Sequence, residues 1–213
     1  MISLLYKELL VQKRVLGMAF LYIFVFSFAM KNLGEQLPLA IITAVSYMFV
    51  LYGGAWDEKA SSDRLWNSLP VPKWKIVGAK YLSVLVYVAG VAVLTWAVFA
   101  VLSMVGMGGI STPVRLEHAA GAAIAVVGVS SIYLPVYFAL GYMKSRMFNL
   151  LMMLATFSLP WLLSDLLVNR PAWAAFLEKT RPVGALGLVA AFVVLLAALS
   201  FFVALKLYAR REF

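Results

Sequence analysis

Apolar residues in this chain are gathered into long runs rather than spread as stripes. Crossing about 30 Å of hydrocarbon takes roughly 20 helical residues. Six segments qualify, approximately Val15–Met30, Leu37–Ala55, Ile76–Val105, Ala119–Tyr142, Phe148–Val168 and Val183–Leu207. The fourth and fifth meet at a short turn containing Lys144, Ser145 and Arg146, which divides a stretch too long for one span. Backbone amides in lipid must pair within their own segment, and regular short alternation of the β-barrel kind is absent. The pattern therefore predicts an all-α polytopic membrane protein, with six transmembrane helices in a single transmembrane domain over residues 1–213. The N-terminal run has the outline of a secretory signal, with Lys7, Lys13 and Arg14 before it. No small-x-small cleavage pattern follows, so it is read as the first retained span.

Between the second and third spans lies the most unusual stretch, a loop over residues 56–75. Asp57 and Glu58 suit the first turn of a short cytoplasmic helix, where free N–H groups favour negative charge. Trp56, Lys59, Asp63 and Trp66 fall on roughly one side of such a helix, and Leu65 and Leu69 on another. Pro70 and Pro72 stop it, and Pro72 is well placed to open the next helix, which carries Lys73, Lys75 and Lys80 up to the membrane. A short amphipathic helix of this kind either lies in the headgroups or docks a cytoplasmic protein, and periodicity leaves both readings open. Gly53 and Gly54 are expected to relax or bend the exit of the second span. Pro135 and Pro160 should bend the fourth and fifth. Gly121, Ala125 and Gly128 give the fourth span a small-residue face for close helix approach, within the chain or across a dimer seam.

Composition sharpens this picture. Of 213 residues 64% are hydrophobic and only 13% charged, too few to make a water-facing surface. The net charge of +9 does not read as nucleic-acid binding, because the basic residues sit at the ends of apolar runs. With the N-terminus inside, the cytoplasmic face holds Lys7, Lys13, Arg14, Lys59, Arg64, Lys73, Lys75, Lys80, Lys144, Arg146, Lys206, Arg210 and Arg211. The opposite face holds only Lys31, Arg115, Arg170, Lys179 and Arg181, an asymmetry that predicts both termini in the cytoplasm.

Candidate chemistry is sparse. The chain has no cysteine, and its one histidine, His118, reads as an ordinary loop residue rather than a metal ligand. Gly106, Gly108 and Gly109 lack the lysine of a phosphate-binding loop, so no ATP binding or hydrolysis is expected of this chain. Ser130, Ser131 and Ser158 have no histidine or lysine deep in the membrane to serve them as base, so no catalytic residue is expected either. Ionisable groups inside the spans are few, with Asp165 the deepest, near the outer end of the fifth. That pattern suits a partner-driven machine better than a proton-coupled carrier.

At the loop the chain resembles the small bacterial ABC-2 type permeases. The likeness rests on Asp57-Glu58-Lys59, Leu65, Ser68-Leu69-Pro70-Val71, Ile76-Val77 and Ala79-Lys80-Tyr81-Leu82. The end of the sixth span, with Ser200, Lys206, Leu207, Tyr208 and Arg211-Glu212-Phe213, is similar to the tail of that family, and Trp74 departs from its usual Ser or Thr. The resemblance implies the permease subunit of an ATP-driven exporter of the bacterial cytoplasmic (inner) membrane. It implies two copies of a separate cytoplasmic ATPase, which binds ATP and Mg, and a second permease subunit, identical or related. It also implies that residues 57–69 form a coupling helix on the ATPase, with Asp57, Glu58, Lys59, Asp63, Arg64, Trp66 and Leu69 in contact. Lys73, Lys75, Lys80 and Tyr81 would anchor the third span. Cargo would be a peptide, an antimicrobial or another amphiphile, and no cargo-contacting residue is singled out. The remaining alternatives are a non-transporting membrane scaffold or immunity protein, and a secondary transporter.

Overall fold

The computed structural model describes residues 2–13, 15–60, 71–105, 113–145, 147–149 and 182–210, and its regular structure there is entirely helical. The elements are α1 (Ile2–Gln12), α2 (Leu16–Ala29), a 3-10 turn (Lys31–Gln36), α3 (Leu37–Lys59), α4 (Lys73–Met104), α5 (Leu116–Leu140) and α6 (Pro182–Arg210). Four helical stretches, Lys31–Lys59, Lys73–Met104, Leu116–Leu140 and Gly187–Arg210, are long and apolar enough to cross a membrane. The pair α1 and α2, bent by 59° relative to one another, makes a fifth if it counts as one span. The protein is thus a polytopic, all-α membrane protein with four to five candidate spans among the described residues. The segment expected at Phe148–Val168 lies outside the described residues beyond Asn149, as does the loop at 61–70.

Helix boundaries follow local chemistry. Pro38 sits in the first turn of α3, where its missing N–H costs nothing. Pro72, extended at φ −63° and ψ 134°, is the N-cap of α4, as expected of it. The exit of α3 differs from expectation. The helix runs unbroken through Gly53 and Gly54 to Lys59, so Asp57 and Glu58 occupy its last turns rather than the first turn of a separate helix. The glycines serve close approach. A Cβ on Gly54 would stand 3.2 Å from the Tyr137 ring and 3.4 Å from Tyr133 and Tyr142 of the neighbouring segment.

The broadest contact joins α5 to α6, while α3 packs against α5 and α4, and α1 and α2 lean on α3 and α4. Ile23, Ile41, Ile42, Val45, Val77, Val91, Val126 and Leu134 fill the interior. Gly121 meets Leu39 of α3 and Gly128 meets Val193 of α6, so the small-residue face of α5 is used within the chain. Outward, α6 presents Leu188, Phe192, Leu195, Leu199 and Phe202, a surface matched to hydrocarbon and not to water. Helix α1 is inverted in the same sense, with Tyr6, Leu9 and Leu10 exposed and Glu8 and Gln12 buried.

One end of the bundle gathers α1, the end of α3, the start of α4, residues 142–145 and the end of α6. Lys73 Nζ reaches the Ala209 carbonyl at 3.3 Å, capping a terminal carbonyl of α6. The opposite end holds the 3-10 turn and the start of α5. They border a cleft of about 440 Å³ lined by residues including Glu35, Gln36, Arg115, Glu117 and His118.

Candidate functional site

Where α1, α3 and α4 converge, four charged side chains meet. Lys80 of α4 lies 3.1 Å from Glu8 of α1 and pairs with Asp57 of α3. Lys7 pairs with the other oxygen of Asp57 and lies 3.2 Å from Glu8. Glu8, Asp57 and Lys80 are 5%, 8% and 7% exposed, so these are interior ion pairs. Two lysines balance two carboxylates. Withdrawing such charges from water is costly, and it is tolerated only when each finds partners of good geometry. The Tyr87 hydroxyl donates to Glu8 at 3.0 Å, and Lys80 Nζ lies 5.7 Å from the Tyr137 ring centre. Gln12 adds a fixed register between α1 and α3 by donating to the Phe49 carbonyl at 2.8 Å.

Local sequence makes the meeting possible. Glu8 and Gln12 are one turn apart on the same face of α1, so both enter the bundle together. Gly53 leaves them room, since a Cβ there would lie 3.4 Å from Glu8, 3.5 Å from Gln12 and 3.6 Å from Lys80. The cavity beside the cluster measures about 30 Å³, too small for any cargo. The cluster is therefore a joint between three helices, not a transport site.

The residues expected at the docking loop are dispersed. Asp57 points into the joint rather than outward, because its position in the last turns of α3 faces α1 and α4. Glu58 is exposed and accepts the Met143 backbone N–H at 2.9 Å. Lys59 is exposed, with its ammonium 5.0 Å from the Trp56 ring centre. Asp63, Arg64, Trp66 and Leu69 lie outside the described residues. Of the expected anchors, Lys73 caps α6, Lys75 lies 5.6 Å from the Trp74 ring, and Lys80 is buried in the joint. The Tyr81 hydroxyl lies 2.5 Å from Ser200 Oγ of α6.

Sequence reasoning missed Glu8, Gln12 and Tyr87; it treated Lys7 only as a topology marker and Lys80 as an anchor of the third span. A signal was present. An acid and an amide at i and i+4 on one face of a largely apolar N-terminal helix need polar partners if that face is to sit against the bundle. His118, read as a loop residue, lies in the first turn of α5, where its Nδ1 accepts the Arg115 backbone N–H at 3.0 Å. It is a helix cap.

A family model described as ABC-2 family transporter protein matches residues 3–209, nearly the whole chain. No curated protein and no solved structure matches.

Proposed function

Because the chain belongs to the ABC-2 family of membrane transporter permeases, we propose that it drives export with a separate cytoplasmic ATPase docked on the loop between α3 and α4. Two ATPase copies, which bind ATP and Mg, and a second permease subunit complete the assembly. The cargo is a peptide, an antimicrobial or another amphiphilic compound. The protein sits in the bacterial inner membrane with the joint end, and both termini, in the cytoplasm. Among the described residues that end carries Lys7, Lys13, Lys59, Lys73, Lys75, Lys80, Lys144, Lys206 and Arg210, and the opposite end only Lys31 and Arg115, which supports the orientation.

The observation that carries the docking assignment is the mounting of the loop. Chain leaves α3 at Ala60 and returns through Pro72 into α4, and both flanks are tied by the same buried ion pair, Asp57 with Lys80. A force entering between Lys59 and Pro72 would thus reach α1, α3 and α4 together. The proposed ATPase contacts are Lys59, Asp63, Arg64, Trp66 and Leu69, while Asp57 holds the loop's root and Glu58 holds Met143.

The test is purification of the tagged chain in mild detergent, followed by mass spectrometry and an ATP hydrolysis assay of the complex. A stoichiometric soluble subunit with a phosphate-binding loop is expected. Charge reversal of Lys59, Asp63 and Arg64 together should reduce its retention while the chain still inserts. Repeated recovery of the intact chain without any ATPase would reject the docking assignment and favour the scaffold or immunity reading.

A further inference from the structure

Helix α5 carries Pro135 in its interior. A proline withdraws the N–H that would bond the carbonyl four residues earlier, here that of Ser131. This carbonyl is satisfied from another helix, because Ser200 of α6 donates its hydroxyl to it. Tyr81 of α4 lies 2.5 Å from the same Ser200 oxygen. The direction of this second bond follows from the first. Ser200 has one hydroxyl hydrogen, a carbonyl only accepts, and so Tyr81 must be the donor. The sequence Tyr81 O–H to Ser200 Oγ to Ser131 carbonyl joins α4, α6 and α5 at the point where α5 lacks its own bond. The Ser131 hydroxyl is engaged separately, with the Val127 carbonyl at 2.7 Å.

The far end of the same segment is also released. Helix α5 stops at Gly141, whose φ of 78° favours glycine. Just beyond it, the Met143 N–H is held by Glu58, two residues before the chain leaves α3. Between the two breaks, Tyr137 lies beside Lys80 and against Gly54. Residues 135–141 therefore touch the joint in the middle, while the Ser131 carbonyl before them and the Met143 N–H after them are held by side chains from other helices.

We propose that residues 135–141 of α5 are a hinged lever through which displacement of the α3–α4 loop reaches the α5–α6 pair. Glu58 grips its far end, and Ser200 holds its proline hinge, both as positioning residues. This inference rests on the permease reading. Movement of the root of the loop carries Glu58, which pulls Met143, and the segment swings between Pro135 and Gly141 where a continuous helix would resist. Helix α6 follows because Phe138, inside the swinging segment, packs on Tyr208 of α6 with ring centroids 5.3 Å apart, while Ser200 steadies the hinge itself.

The test compares Pro135→Ala, Ser200→Ala and their double variant with the wild type in two measurements. The first is Tm of the solubilised protein, and the second is permease-dependent ATP hydrolysis by the complex in liposomes. Ser200→Ala should lower Tm by about 2–5 °C, through an orphaned Ser131 carbonyl and a Tyr81 hydroxyl that loses its acceptor. Pro135→Ala returns an N–H to that carbonyl, so the double variant should recover the carbonyl's share of the loss. Pro135→Ala should nevertheless reduce permease-dependent hydrolysis at least about fivefold, the scale of a lost coupling term. A purely structural role would leave hydrolysis tracking Tm. Pro135→Leu also restores the N–H and serves if the alanine variant packs badly. Full hydrolysis in stable Pro135 variants overturns the lever. An unchanged Tm in Ser200→Ala, or a loss that Pro135→Ala does not relieve, overturns the clip. If the wild type shows no permease-dependent hydrolysis, the permease reading falls and the lever with it, and the Tm comparison still reports on the bond separately.

Discussion

At the level of single residues, the joint is a problem in charge balance. Lys80 faces two carboxylates, Glu8 and Asp57, and Lys7 supplies the second positive charge. Removing one member leaves an uncompensated buried charge, which is worse than removing a matched pair. Lys80→Met should therefore destabilise the protein by about 3–5 kcal/mol, since two carboxylates then share Lys7 alone. Adding Asp57→Asn restores neutrality, so the double variant should be less damaged than the sum of the singles by about 1–3 kcal/mol. Unfolding of the detergent-solubilised variants measures both quantities. Simple additivity would mean that the two residues do not share an ion pair. Tyr87 is a milder case. Tyr87→Phe removes one donor to Glu8, leaves both lysines in place, and should cost about 1 kcal/mol in the same measurement.

Between elements, distance is set by glycine. Gly54 lets α3 lie against Tyr133, Tyr137 and Tyr142, and Gly121 lets α5 lie against Leu39. The two sites differ in what would have to move. A Cβ at Gly121 would come within 2.8 Å of a terminal methyl of Leu39, which can turn away. Gly121→Ala should accordingly be tolerated, within about 0.5 kcal/mol, because the neighbour is the end of a flexible side chain. At Gly54 the neighbours are three rigid aromatic rings, and Gly54→Leu should cost about 1–3 kcal/mol by overpacking. Thermal unfolding of the two variants side by side tests the difference, and equal losses would contradict it. Helix existence was readable from apolar runs because spanning length is a physical minimum, and Pro72 marked the start of α4 by its missing N–H. The continuation of α3 past its glycines was not readable. A Gly-Gly pair followed by Asp-Glu is locally consistent with a helix end, and only the tyrosines of α5, some eighty residues away, give the glycines their use. The joint was hidden for the same reason, since Lys7, Glu8, Asp57 and Lys80 each look like ordinary end-of-span charges until α1 folds back.

For the whole molecule, the decisive feature is that its two ends are unlike. One end gathers the ion joint, the roots of the α3–α4 loop, the Glu58–Met143 contact and the capped end of α6. The other carries the cleft beside Glu35, Arg115 and His118. The proposed ATP-driven export calls for such polarity, with force entering at one face and cargo leaving at the other. The charge asymmetry makes the same division independently, since long apolar helices with basic flanks insert with those flanks inside. The native chain contains no cysteine, so single introduced cysteines are unique labels. Exposed positions Lys59, Lys144 and Arg210 at the joint end, and Lys31 and Glu117 at the other, are suitable. In intact cells a membrane-impermeant maleimide should label Lys31→Cys and Glu117→Cys. Lys144→Cys and Arg210→Cys should react only after permeabilisation, and Lys59→Cys, at the proposed ATPase contact, only after permeabilisation and release of the ATPase. The reverse pattern would place the joint outside, out of reach of any cytoplasmic ATPase, and would remove the basis for the docked loop. A mixed pattern within one end would contradict the bundle itself, since it would separate residues that the structure holds on a common face.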